Sequence, residues 1–166
     1  YQRQPKDRPL DEGLNAEKQP FILSPAYWTY FDMPNVAPEK GYKGWAQPIS
    51  TAEVYNWDPF IDMFGVNEQT RELALGAIAC TWSEGIKTMK DFGDRTFPRL
   101  AGCSERLWSG GKSENPSVLD WEAYRDNVLI PYQLDRYDAL GVWYWSKDDP
   151  ELLKTLKNAR KRVRRK

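Results

Sequence analysis

Two short stretches set an aromatic ring and a carboxylate two positions apart: Tyr30 and Asp32 in YFD (30–32), and Trp82 and Glu84 in WSE (82–84). In extended chain, residues i and i+2 point to the same side. Each stretch would then present a flat apolar face beside an ionised acceptor. That combination suits a sugar, whose C–H face packs on a ring while its hydroxyls donate to carboxylate oxygens. The plainer reading of either pair is a core aromatic next to a carboxylate that caps a loop or pairs with Arg99 or Arg106. Finding the same pattern at the end of two apolar runs favours the sugar.

Other chemistries are harder to build from this composition. The 166 residues include no histidine, so the commonest general base and metal ligand is missing, and the two cysteines are too far apart for a CxxC motif. No metal and no cofactor is expected. Cys80 and Cys103 sit in apolar contexts and read as free thiols. Basic and acidic side chains balance at 24 each, which argues against nucleic acid as a partner. No apolar run approaches the roughly 20 residues of a membrane span, so no membrane partner is expected. Aromatic content is 14% with eight tryptophans, more than a small core needs and in keeping with a carbohydrate site.

The elements that must position the two pairs follow from patterning. FILSPAYWTYFDM (21–33) reads as an apolar strand. ELALGAIACTW (72–82), small and without alternation, reads as a parallel strand buried on both faces. Between them, the prolines and glycines of residues 34–50 forbid a regular element, and long loops of this kind are usually functional. A short helix follows, capped by Ser50 or Thr51 with Glu53 closing a capping box and Pro59 ending it. FPRLAGCSERLWS (97–109) has helical spacing at 97, 100, 103 and 107. Ser117 can cap another helix with Trp121, Tyr124, Val128 and Tyr132 on one face, kinked or ended at Pro131. The order fits two βα units of a parallel α/β architecture, in which chemistry gathers at the C-terminal strand ends.

These motifs in this order resemble glycoside hydrolase family 20, the exo-acting β-N-acetylhexosaminidases. LGAIACTWSE resembles that family's last barrel strand, and FPRLAGCSERLWS the helix after it. YFD, the loop's GYKGW (41–45), VYNWDP (54–59) and RYDALGVWYW (136–145) resemble further segments. The resemblance implies the last two βα units of a (β/α)8 barrel over residues 21–145, with 1–20 as an extended lead-in and 146–166 as a charged, basic helix or tail. It implies that Tyr30 bonds the acetamido oxygen of an N-acetylhexosamine, that Asp32 and Glu84 accept from its hydroxyls, that Trp82 walls the N-acetyl pocket, and that Trp45 stacks on the neighbouring sugar. Arg99, Glu105 and Arg106 read as a structural charge network.

The family hydrolyses by a substrate-assisted route that needs an Asp–Glu pair from an earlier strand, and no such motif stands in this chain. Asp11-Glu12-Gly13 lacks the preceding glycine and strand. An arginine from the first barrel strand is missing too, and 166 residues fall short of the about 250 of a whole barrel. The chain therefore reads as a piece of something larger that carries no catalytic acid, with the remainder of the barrel and an N-acetylhexosamine glycan as its partners. The alternative is a non-catalytic carbohydrate-binding or scaffold module derived from such an enzyme. RKRVRRK (160–166) reads as a solvated helix end rather than a nucleic-acid contact, because no second basic patch accompanies it. Family members are commonly secreted, periplasmic or lysosomal, and nothing in this stretch selects among these.

Overall fold

The computed structural model describes residues 18–35, 48–58, 68–110, 115 and 117–145. Trp45, Pro59, the Asp11-Glu12-Gly13 stretch, most of the lead-in and the tail lie outside the described residues. Among the described residues, no helix is long and apolar enough to cross a membrane.

Two parallel strands form the sheet: β1 (Phe21–Leu23) and β2 (Ala74–Ala77). Their register pairs Phe21 with Ala74, Ile22 with Gly76 and Leu23 with Ala77, with an irregularity after Phe21. Gly76 takes up part of that irregularity at φ +144, a value other residues rarely adopt. The expected continuous strand over 21–33 is broken. Pro25, with its fixed φ, starts one helical turn, α1 (Ala26–Thr29), and the Thr29 hydroxyl closes it by donating to the Pro25 carbonyl at 3.0 Å. Parallel pairing resumes beyond the turn, where Cys80 N donates to Thr29 O (2.8 Å) and Phe31 N to Cys80 O (2.7 Å).

The second strand also differs from expectation, since it is covered on one face only. Leu23 packs on Trp57, with Phe21, Ala77 and Leu107 against them, whereas Ile22, Leu75 and Ile78 are 53%, 71% and 50% exposed. Two strands and the helices on one side supply nothing to bury the other face.

Helix α2 (Thr51–Asn56) begins as expected: Ser50 accepts from Glu53 N, and the Glu53 carboxylate accepts from Ser50 N at 2.7 Å. It ends before Trp57. A short turn, α3 (Glu68–Arg71), precedes β2. The unexpected helix α4 (Met89–Thr96) is started by a second capping box, Thr88 with Asp91. Helix α5 (Arg99–Ser109) occupies the expected place, with Phe97 and Pro98 just before it. It packs closely on α2, Gly102 lying against Thr51 and Tyr55.

The last helical stretch starts one turn later than expected. Asp120 caps α6 (Trp121–Tyr124), while Ser117 bonds to Asn115 instead. The backbone then winds as a π-helix over Arg125–Leu134, with Pro131 inside it, before α7 (Asp135–Leu140). Its i→i+5 turn spaces the buried residues by five, giving Tyr124, Leu129 and Leu134 in one row. Trp121 and Tyr124 face inward as expected and Val128 does so partly, but Tyr132 is 71% exposed because the wider turn carries it off that face.

Three packed groups form the core. Tyr55, Trp121, Tyr124, Leu129, Ile130, Leu134 and Tyr137 make the largest; Phe31, Ile49, Val54 and Cys103 lie under the strand tips; Leu23 and Trp57 close the base. Helix α2 feeds all three through Tyr55, Val54 and the adjoining Trp57. Residues 141–145 return across α4, where Trp145 N donates to Phe97 O at 2.9 Å and a Cβ on Gly93 would collide with the Trp143 backbone. Gly93→Ala is therefore expected to destabilise the chain by about 1–3 kcal/mol, read by urea unfolding followed by circular dichroism. An unchanged midpoint would show that this packing is looser than described.

Candidate functional site

The two aromatic–carboxylate pairs meet at the C-terminal end of the sheet. The parallel bridge between Tyr30 and Cys80 sets the two segments side by side. Two residues further on, Trp82 lies edge-on to Tyr30, with ring centroids 5.6 Å apart at 62°. The backbone N–H of Trp82 donates to Asp32 Oδ1 at 3.4 Å. Trp82 is 48% exposed, Tyr30 and Asp32 are half-buried, and the exposed Glu84 lies near enough for its charge to act on Asp32. Four of the five residues expected at a sugar site are thus brought together, and the fifth, Trp45, lies outside the described residues.

A pleated strand is not what aligns Tyr30 with Asp32, because Phe31 and Asp32 already belong to a turn. The turn is held from beneath by two guanidinium groups. Arg99, fully buried, donates to the carbonyls of Phe31 (2.8 Å), Met33 (2.7 Å), Ile49 (3.2 Å), Pro34 (3.4 Å) and Arg95 (3.0 Å). Arg95 donates to the carbonyl of Asp32 itself. Three successive carbonyls, 31 to 33, are therefore captured by cations. The Asp32 side chain leaves on the other side, toward Trp82.

Electrostatics follow from this packing. Burial raises the Asp32 pKa; bonds from its own backbone and from the Trp82 amide oppose the shift, and the nearby Glu84 charge adds to it. Arg99 is pushed down to about 9 by burial and then by the Arg95 cation, with Asp32 pulling it back up, so it stays charged at neutral pH. Both cysteines are free, and burial pushes the Cys103 thiol up to about 11, which makes it unreactive.

The expected charge network among Arg99, Glu105 and Arg106 takes a different form. Arg106 donates to Tyr55 O at 2.5 Å and to Gly110 O at 3.4 Å, and its guanidinium lies 4.6 Å from the Tyr55 ring centroid. Glu105 accepts from Ser109 at 2.7 Å. A guanidinium has five donors, and at a strand tip or a helix end it is carbonyls that need them. Sequence reasoning missed the hold of Arg95 and Arg99 on the site. One signal was available: an arginine in the first turn of a helix opposes the helix dipole, so its presence after Pro98 marks a tertiary task.

The described part of the site presents groups able to stack on a ring and to accept hydrogen bonds. It offers two rings, two carboxylates and the hydroxyl of Tyr30. Among the described residues, no group of three or more His, Cys, Asp or Glu could hold a metal ion. A cavity of about 550 Å³ lies on the far side of α5, lined by Phe97, Ser104, Trp108 and Arg136 among others, and shares none of the site residues.

Residues 6–111 match the family described as glycosyl hydrolase family 20, catalytic domain. A β-N-acetylhexosaminidase of Cellulomonas fimi is 26% identical over 137 residues, which is 72% of this chain and 26% of that protein. Among solved structures, the GH20 β-N-acetylhexosaminidase of Streptomyces coelicolor A3(2) is similar with a TM-score of 0.67 at 27% identity, over 82% of this chain and 26% of that one. The GH20 exo β-N-acetylglucosaminidase of Vibrio harveyi, in complex with N-acetylglucosamine, gives 0.60 at 28% identity, over 80% of this chain and 20% of that one. The chain belongs to glycosyl hydrolase family 20, a family of β-N-acetylhexosaminidase-like glycoside hydrolases, and has an α/β fold. It spans about a quarter of the length of these relatives.

The raised Asp32 pKa carries a stability consequence. The folded chain binds this proton more tightly than the unfolded one, so the contribution to stability is full below the usual aspartate value and is lost as pH rises through the higher folded value. Asp32→Asn is expected to melt slightly higher than the parent at pH 7, by about 2 °C or less because water screens a half-exposed group. The gap should close at about pH 3, below the usual aspartate value. Thermal unfolding at both pH values checks this, and a variant less stable at pH 7 would contradict it.

Proposed function

We propose that this chain forms the closing part of a (β/α)8 barrel, over residues 21–145, and supplies one wall of the sugar site of an exo-β-N-acetylhexosaminidase that releases terminal GlcNAc or GalNAc from glycans or chito-oligosaccharides. The observation that carries this reading is the convergence of Tyr30, Asp32, Trp82 and Glu84 at the C-terminal end of two parallel strands. In a substrate-assisted reaction the 2-acetamido oxygen attacks the anomeric carbon, and an acid protonates the leaving oxygen. Tyr30 donates its hydroxyl to the acetamido oxygen and fixes it for attack. Trp82 packs on the N-acetyl group, and Asp32 and Glu84 accept from ring hydroxyls. Trp45 stacks on the next sugar.

The Asp–Glu pair that orients the amide and protonates the leaving group comes from the remainder of the barrel. Further support for such a remainder is the open sheet face, where Ile22, Leu75 and Ile78 are exposed although parallel strands are ordinarily covered on both faces. The lead-in (1–20) and the basic tail (146–166) stand outside this barrel portion.

Two measurements test the reading. The chain alone should show no turnover of a chromogenic N-acetylglucosaminide, and appreciable hydrolysis would refute the assignment of the acid to another segment. Titration with N-acetylglucosamine, followed by amide NMR, should move the signals of residues 30–32 and 82–84. Trp82→Ala should weaken that binding by about tenfold, the worth of one aromatic ring packed on an apolar group. Shifts elsewhere and none at these positions would rule out the site.

A further inference from the structure

The guanidinium of Arg99 is the most heavily used donor group among the described residues, and all its hydrogen bonds there go to backbone carbonyls. Two of these carbonyls, Phe31 and Met33, flank Asp32. The Asp32 carbonyl between them accepts from Arg95, whose own carbonyl accepts from Arg99. The ring of Phe31 also lies under the Arg99 cation, 5.2 Å from it. The backbone on both sides of the Asp32 carboxylate is therefore tied to one buried group, while the carboxylate itself reaches the Trp82 amide.

We propose that Arg99, acting with Arg95, is a positioning residue for Asp32: it fixes the turn from which the carboxylate meets the Trp82 amide, and so sets where a sugar hydroxyl is bound. The sugar part of this inference rests on the function proposed above. The planar fork of a guanidinium serves several carbonyls at once, which the three donors of a lysine ammonium on its flexible stem cannot do with the same geometry. Charge alone is not sufficient, so Arg99→Lys is the informative change.

Arg106 provides the control. It is another buried arginine on α5, bonded in the same manner to Tyr55 O and Gly110 O and not to the Asp32 turn. The charged groups facing Asp32, namely Glu84 and the two arginines Arg95 and Arg99, all remain in an Arg106→Lys chain. Both variants lose packing and hydrogen bonds of the same kind; only one loses the hold on Asp32.

The test uses two readouts on the whole chain. One is the pH titration of the Trp82 amide signal, which follows Asp32 because that N–H donates to its carboxylate and which requires no sugar. The other is the affinity for N-acetylglucosamine. Arg99→Lys is expected to reduce the pH-dependent movement of the Trp82 signal by at least about half and to weaken sugar binding by about tenfold or more, a cost typical of a misplaced binding group. Arg106→Lys should leave both within about twofold of the parent, even where it lowers the melting temperature as much. Should Arg99→Lys fail to fold, Arg95→Lys, at a half-buried position that holds the Asp32 carbonyl, should move both readouts in the same direction. An unchanged Trp82 titration in a folded Arg99→Lys chain, or equal losses in the Arg106 control, would overturn the proposal. A parent chain that binds no N-acetylglucosamine would sink the sugar site, and the Trp82 titration would still decide the role of Arg99.

Discussion

A single buried cation organises the end of the sheet where the aromatic and acidic residues gather. Arg99 bonds to the turn that follows α1, to Ile49 just ahead of the Ser50 cap of α2 and to the last turn of α4. Burying an unpaired guanidinium is costly, and it is tolerated here because its donors meet carbonyls that would otherwise be orphaned. The exchange couples three segments distant in sequence. Stability and site geometry thus share one group, so the site cannot loosen without a loss of fold energy.

The rest of the molecule supports that centre unevenly. On one side, Tyr55 of α2 stacks on Tyr124 of α6 with centroids 4.2 Å apart, and these helices with α5 and the π-helical stretch enclose a core rich in large rings. On the other side, the two-stranded sheet presents apolar side chains to water. The half that resembles an ordinary domain core is the half away from the strand tips. The strand ends are ordered chiefly by hydrogen bonds to Arg95 and Arg99, with only a small apolar group, Phe31, Ile49, Val54 and Cys103, beneath them.

Much of this was legible in the sequence where its cause is local. The capping box at Ser50 and Glu53 and the helix after Pro98 need only neighbouring residues to specify them. The family could be read because several motifs occur in order. The π-helix could not be, because its inward row repeats every five residues while the eye searches for three and four. The helical turn at Pro25 was hidden within an apolar run that reads equally well as strand. The arginine contacts were hidden for a different reason: they join residues 50 to 68 apart, and a carbonyl acceptor has no residue type to recognise. The four residues at the strand tips were singled out by their side-chain chemistry, whereas the reason they converge lies in main-chain acceptors.

Pro34 and Ile49, the residues that bracket the stretch containing Trp45, are joined directly: Ile49 N donates to Pro34 O at 3.1 Å, and Arg99 bonds both carbonyls. A segment whose two ends are fastened together behaves as an insert on a finished scaffold. Changing its length costs only a slowly growing, logarithmic entropy, about 0.6 kcal/mol for each doubling. The neck at Pro34 and Ile49 therefore leaves the strand tips beneath it insensitive to the length of chain inserted above.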